Sequence, residues 1–316
     1  MTRLFRVALA ALACFSFCEA VYSAPKRSQV RQVAKNAPKP HESRYRKTPY
    51  VGVLAVDADS GRVLFSDKAS EIAYPASITK LMTAFLVFDD IKSGRFSLKD
   101  LVVASPVKTQ VDRHLRQPSA IGLKSGDSMT VDAMLKALMV KSANDCAIFL
   151  AEKCSGTMEK FVERMNAKAR SLGMSSTKFY NPNGLPPFGG KGNFNSSTCI
   201  DLAKMAMALL KRHPEILKYT SLKYYDAQLP GGKVQRFVNH NNVMVKDALK
   251  IFNPDGTEAV DGLKTGYIDA GGSSVIVTGK RNGKRAIVIV LGSSSRSQRD
   301  SVARHRLSDA LDAISF

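Results

Sequence analysis

The chain has 316 residues, five cysteines and a net charge of +20, from 47 Lys or Arg against 27 Asp or Glu. A surface this basic favours anionic partners, but no nucleic-acid motif accompanies the charge, so nucleic acid is set aside. Without Cys-x-x-Cys or His-Glu-x-x-His spacing the sequence offers no metal site. Its cysteines make no disulfide framework, and no cofactor is implied.

In chain order, Arg3 and Arg6 precede an unbroken run of 11 apolar and small residues, Val7 to Phe17. A membrane span needs about 20, and Ala20, Ser23 and Ala24 offer a cleavage site. Residues 1–24 are therefore read as a signal peptide, which puts the protein outside the cytoplasm. Residues 25–48 carry eight Lys or Arg, one Glu and three prolines, with almost no large apolar side chain. They cannot bury enough surface to offset ordering entropy, so this segment is expected to be a disordered basic tether. An exported tether of this charge would meet anionic wall polymer or lipid headgroups first. Residues 49–316 are long enough for one large domain.

Within that domain, Tyr50 to Val56 and Arg62 to Phe65 are β-type runs around Asp57-Ala-Asp-Ser-Gly61, which predicts a hairpin. From Ser77 to Ile91 the period changes: Ile78, Leu81, Met82, Phe85 and Phe88 form one helical face. Further helices are predicted over 131–140, 144–153, 158–172 and 198–212, with a Gly- and Pro-rich loop over 181–193. Cys146 and Cys154 lie roughly 12 Å apart along their helix, too far to bridge, and read as small core residues. Strand patterns return over 260–268, 273–280 and 285–291, the last two joined by Arg281-Asn-Gly-Lys284, a hairpin signal. A helix over 297–314 closes the chain. The expectation is an α+β fold, its mainly antiparallel sheet built from both chain ends, with a helical subdomain and a cleft between them. The five histidines, 41, 114, 213, 240 and 305, read as surface or turn residues.

Three short motifs carry the chemistry. Ser77-Ile-Thr-Lys80 opens the apolar helix, where positions i and i+3 share a face and the amine reaches the hydroxyl. Ser142-Ala-Asn144 lies between two helices and, taken singly, reads as a helix cap. Lys264-Thr-Gly266 lies on a late strand. Each alone is weak, but their order and contexts match the Ser-x-x-Lys, Ser-x-Asn and Lys-Thr-Gly set of penicillin-binding serine enzymes.

Over residues 49–316 the sequence resembles the D-alanyl-D-alanine carboxypeptidase family of low-molecular-mass penicillin-binding proteins. The likeness includes Tyr74-Pro-Ala-Ser-Ile-Thr-Lys80, Lys141-Ser-Ala-Asn-Asp-Cys-Ala147 and Phe179-Tyr-Asn-Pro-Asn-Gly-Leu185. It continues through Asn239-His-Asn241 and Asp261-Gly-Leu-Lys-Thr-Gly266. The resemblance implies a β-lactamase/transpeptidase-like fold and a bacterial periplasm or envelope exterior. Its implied partners are peptidoglycan stem peptides, with β-lactams as covalent inhibitors. Ser77 would be the nucleophile, Lys80 its base and Ser142 a proton relay. Asn144 would hold Lys80 and the substrate amide. Lys264, Thr265 and Gly266 would meet the substrate, with the Ser77 and Tyr267 amides forming the oxyanion hole. Arg299 falls where relatives place a carboxylate-binding Arg; a solvated helix residue is its bland reading. A DD-endopeptidase is the nearest alternative. A non-catalytic wall-binding or β-lactam-sensing protein is an alternative of another class. A class A β-lactamase ranks lower, because no Glu-x-x-Leu-Asn string lies between Ser142 and Lys264.

Overall fold

The computed structural model describes residues 49–106, 119–187 and 192–315. The expected leader and tether, and with them His41 and His114, lie outside the described residues. Strands β1 (Gly52–Asp57) and β2 (Val63–Asp67) form the predicted hairpin. A 3-10 turn, Ala76–Thr79, leads into α1 (Lys80–Lys92). Next, β3 (Leu101–Val103) pairs with β4 (Ser128–Thr130). Helices α2 (Val131–Val140), α3 (Asn144–Ser155), α4 (Met158–Ser171) and α5 (Cys199–Arg212) follow, with the single turn α6 (Leu217–Thr220) after them. A second ribbon joins β5 (Tyr224–Gln228) to β6 (Val234–Val238), ahead of the short α7 (Asn242–Val245). Strands β7 (Val260–Ile268), β8 (Gly272–Arg281) and β9 (Lys284–Ser293) and helix α8 (Arg296–Ile314) complete the described chain.

The sheet runs in the order β2-β1-β9-β8-β7, antiparallel throughout, so β1 from one end of the domain pairs with β9 from the other. Between β8 and β9, Asn282 and Gly283 take φ of 50° and 78°, the left-handed pair that a two-residue hairpin turn requires. Side chains alternate across the sheet. Val53, Ala55, Val275, Val277, Val288 and Val290 pack with Ala303, Leu307 and Leu311 of α8. Leu54, Val56, Ile287 and Ile289 belong to the other core, with Ile78, Leu81 and Phe85. Each buried side chain of this size stabilises the fold by roughly 1.5–3 kcal/mol. Covering both faces explains why these strands read as nearly unbroken apolar runs.

Four helices start on side-chain caps: the hydroxyls of Thr130, Thr157, Thr198 and Ser295 accept from the amides of Ala133, Lys160, Asp201 and Gln298. Helices α1 and α3 have no such cap. Both begin within three residues of a serine that lines the cleft described next.

Candidate active site

Ser77 lies in the 3-10 turn ahead of α1 rather than in the α-helix that the apolar period predicts. In such a turn positions i and i+3 eclipse, and Lys80 Nζ stands 2.8 Å from Ser77 Oγ. Ala76 takes φ of 48°, a costly conformation for a residue with a Cβ. Two glycines press on this turn. A Cβ on Gly184 would fall 1.9 Å from the Ala76 carbonyl oxygen, and one on Gly266 would fall 2.4 Å from that of Pro75. Neither position admits a side chain.

Lys80 is wholly buried. Its Nζ also lies 2.8 Å from Asn144 Oδ1 and 2.7 Å from the Asn183 carbonyl oxygen. Burial, and then the positive charge of Lys264, hold this amine well below the usual lysine value, against an opposing pull from Asp145. A neutral amine has two N–H groups and one lone pair. Asn144 Oδ1 and the Asn183 carbonyl can only accept, so they take the N–H groups. In that form the lone pair is left for the Ser77 hydroxyl, the one partner able to donate; the ammonium form donates to all three.

The Asn183 carbonyl was not among the sequence-derived candidates, although its Asn-Pro-Asn-Gly turn carries part of the family likeness. Three bonds hold that turn against α1 and its preceding turn. Thr83 Oγ1 donates to the Pro182 carbonyl at 2.6 Å. Asn195 Nδ2 donates to Thr79 Oγ1 at 3.1 Å and to the Asn181 carbonyl at 3.0 Å. Asn195, at the far end of the same connection, was likewise unforeseen.

Ser142 sits between α2 and α3 with φ of 64°. It does not cap α3, whose N-cap is Ala143. Its buried hydroxyl has no hydrogen-bond partner among the described residues, an arrangement that persists only where the surroundings enforce it. Next to Asn144, the Asp145 carboxylate accepts from the amides of Ile121, Gly122 and Leu123 through Oδ2 and of Cys146 through Oδ1. Burial pushes its pKa up while these amides pull it back. Asp145 thereby anchors the stretch that follows Ser119, a residue of the cleft wall.

The third motif lies on β7, the edge strand of the sheet. Lys264 is buried, and Nζ reaches the Thr265 carbonyl at 3.2 Å. Burial, and then the charge of Arg299, push its pKa down to about 7. A Cβ on Gly266 would also lie 3.2 Å from the Ser77 amide nitrogen, so β7 runs against that amide just before Tyr267. Arg299 is buried in α8, which rules out a solvated helix residue. Its Nε and Nη2 donate to Asp300 Oδ1 at 2.8 and 2.5 Å, and Asn242 Nδ2 donates to Asp300 Oδ2 at 2.7 Å.

A cleft of about 450 Å³ unites these parts. Ser77, Ser142, Thr265, Gly266, Tyr267 and Arg299 line it, together with Lys141, His240 and Arg296. Lys80, Asn144 and Lys264 stand behind the wall. The surface or turn reading of the histidines needs one correction, and His240 keeps it. His213 is wholly buried, its Nε2 3.0 Å from Asp89 Oδ1 and its Nδ1 3.2 Å from Glu215 Oε1. His240 is exposed on the cleft wall. Partial desolvation by the wall, and then the charges of Lys264, Lys141, Arg296 and Arg299, hold its imidazole down at about 4. Cys146, Cys154 and Cys199 are free and buried. Among the described residues no three His, Cys, Asp or Glu side chains converge on a metal site.

The family model described as D-alanyl-D-alanine carboxypeptidase matches residues 48–295. The chain is 34% identical over 248 residues to the D-alanyl-D-alanine carboxypeptidase DacF of Bacillus subtilis, covering 78% of this chain and 58% of that one. It is 30% identical over 257 residues to a D-alanyl-D-alanine endopeptidase of Haemophilus influenzae, covering 80% and 79%. Among solved structures it is similar to the D-alanyl-D-alanine carboxypeptidase DacD from Francisella tularensis, with a TM-score of 0.72 and 25% identity over 84% of this chain and 71% of that one. It is similar too to penicillin-binding protein D2 from Listeria monocytogenes in its ampicillin-bound form, with a TM-score of 0.67 and 26% identity over 84% and 98%. The chain thus spans less than two thirds of the DacF length.

Proposed function

Because the chain belongs to the D-alanyl-D-alanine carboxypeptidase family, we propose that it is a serine-type D-Ala-D-Ala carboxypeptidase that trims peptidoglycan stem peptides. Ser77 Oγ attacks the carbonyl carbon of the penultimate D-Ala and passes its proton to the neutral Lys80 amine. The oxyanion faces the Ser77 and Tyr267 amides, worth about 2.7–4 kcal/mol per donor. Collapse breaks the peptide bond, and the departing D-Ala amine takes a proton through Ser142. Water then hydrolyses the ester. Thr265, Lys264 and Arg299 meet the substrate's terminal carboxylate. The observation that carries this reading is the wholly buried Lys80 amine, 2.8 Å from Ser77 Oγ with its two other partners able only to accept.

The same acyl-enzyme chemistry makes β-lactams covalent inhibitors. A DD-endopeptidase is the second reading, supported by the 30% identity over 257 residues to the H. influenzae endopeptidase. A purely binding protein has no use for a buried base aimed at a hydroxyl. The basic start and short apolar run at 1–24 support export to the periplasm or envelope exterior, with residues 25–48 as a tether to anionic wall or membrane.

Ampicillin should add one adduct, mapped by intact mass and peptide analysis to Ser77, and Ser77→Ala should lose both adduct and turnover, the latter by roughly 10⁴-fold or more. Labelling that persists in Ser77→Ala sinks the assignment. A defined pentapeptide and a defined cross-linked dimer, resolved by mass, separate carboxypeptidase from endopeptidase.

A further inference from the structure

The cleft holds more positive charge than one terminal carboxylate needs. Elsewhere on the domain, several basic side chains are answered by acids, among them Arg236 by Asp226, Arg285 by Asp261, and Lys223 and Lys250 by Glu258. On the cleft wall Arg299 has Asp300. Lys141 and Arg296 line the same wall and pair with no carboxylate among the described residues. Each lies instead over an aromatic ring, Lys141 Nζ 5.9 Å from the Phe237 centroid and the Arg296 guanidinium 5.5 Å from that of Tyr267. A ring face attracts a cation through its quadrupole without neutralising it, so both charges are positioned yet unanswered. The effect of these charges extends across the cleft, since both contribute to the depressed pKa of His240.

We propose that Lys141 and Arg296 form a second anion subsite, which binds a free carboxylate on a side chain of the substrate peptide upstream of its D-Ala-D-Ala terminus. The inference rests on the peptidase reading above and narrows its substrate class to peptides with two acid groups. Amidation of the upstream acid removes the charge and leaves the two cations facing a neutral group.

The test uses the full chain and peptides ending in D-Ala-D-Ala with a free C-terminus. They come in acid and amide pairs, the side-chain carboxylate or carboxamide placed on either of the two residues before the D-Ala pair. For one pair the acid should be favoured by roughly tenfold in kcat/KM, the scale of a charge-assisted hydrogen bond. The acid should also bind Ser77→Ala more tightly, which gives a readout independent of turnover. The preference should fall below about twofold in a Lys141→Gln/Arg296→Gln double variant. The acid-to-amide ratio is internal to each protein, so a general loss of activity next to Ser142 does not imitate the result. Equal affinities for every pair, or a preference that survives in the double variant, overturn the subsite while an ampicillin adduct on Ser77 leaves the peptidase reading standing. Absence of that adduct overturns both.

Discussion

Two regions of this molecule bury charge, and they treat it in opposite ways. At the end of α1, Asp89 accepts from Arg212 Nε at 2.6 Å and lies 3.0 Å from His213 Nε2 and 2.6 Å from Lys168 Nζ. Burial would raise its carboxyl, but hydrogen bonds from Lys168, His213 and Arg212 outweigh that and hold it at about 2. Its neighbour Asp90 is wholly buried between Arg95 and Arg164. In the cleft, Lys80, Lys264 and Arg299 are buried with Asp300 as the one carboxylate bonded to any of them among the described residues. The first region answers its charges and contributes to stability. The second leaves cations short of partners, and both lysine pKa values fall. What folding would discard is retained where the proposed chemistry calls for a neutral amine and an anion-attracting field.

Breaking the first region should therefore affect stability alone. Asp90→Asn leaves two guanidinium groups without their buried acceptor charge and should destabilise the domain by about 3 kcal/mol. In a domain of this size that is a Tm loss of roughly 6–12 °C. Thermal denaturation checks the shift, and kcat/KM per folded molecule should stay within about twofold. A variant with unchanged Tm and lost activity would erase the contrast between the regions.

The sequence made the cleft legible only where chemistry is written in side chains at fixed spacing. Ser77, Lys80, Ser142, Asn144 and Lys264 through Tyr267 all meet around one cavity, and the main sheet, built from both chain ends, followed from its unbroken apolar strands. The Asn183 contribution was invisible because a backbone carbonyl leaves no residue signature. Asn195 reaches the site from the far end of a long connection and Arg296 from a helix start, so neither has a local pattern. His213 was misread because an imidazole looks polar in a sequence, and only Asp89 and Glu215 explain its burial. The short β3–β4 and β5–β6 ribbons lack the long apolar runs of the main sheet, since half of their residues face outward. Ser77 in a 3-10 turn was missed because three and four residues share one apolar stripe.

The electrostatic task of the second region can be tested separately from its stability. Lys264→Gln keeps length and hydrogen-bonding reach but removes the charge. For a peptide with a free C-terminus, kcat/KM should fall roughly ten- to a hundredfold, as expected for a charge-assisted bond of about 1.5–3 kcal/mol. An amidated C-terminus should lose far less. A pH profile sharpens the point, because kcat/KM reports the free enzyme. With Lys264 titrating at about 7, wild-type kcat/KM for the acid substrate should decline as pH rises through that value and the ammonium is lost. The amidated substrate and Lys264→Gln should both lack this decline. Equal losses for acid and amide would move carboxylate recognition to Arg299.

The smallest effect runs in the opposite direction. If Lys264 is kept for recognition at a cost to the fold, then Lys264→Met, of similar volume and apolar, should make the protein more stable while impairing it as an enzyme. Replacing buried charge by packed apolar atoms is worth on the order of 1 kcal/mol or more, a Tm rise of roughly 2–4 °C in a domain of this size. The sign of its pH dependence follows from linkage. The folded-state pKa of about 7 lies below the unfolded value of about 10.4, so between them the unfolded chain binds the extra proton and wild-type stability rises with pH. The penalty carried by Lys264 is thus full below pH 7 and fades as pH approaches 10. Lys80 is depressed in the same direction, partly by the Lys264 charge itself, so losing that charge relieves part of its penalty too, again on the acid side. The stability gap between Lys264→Met and wild type should consequently be widest at pH 6–7 and narrow steadily on the alkaline side. A gap that widens with pH, or a variant less stable than wild type at pH 7, would mean that the fold draws net stability from the Lys264 ammonium, as it does from the charges around Asp89 and Asp90.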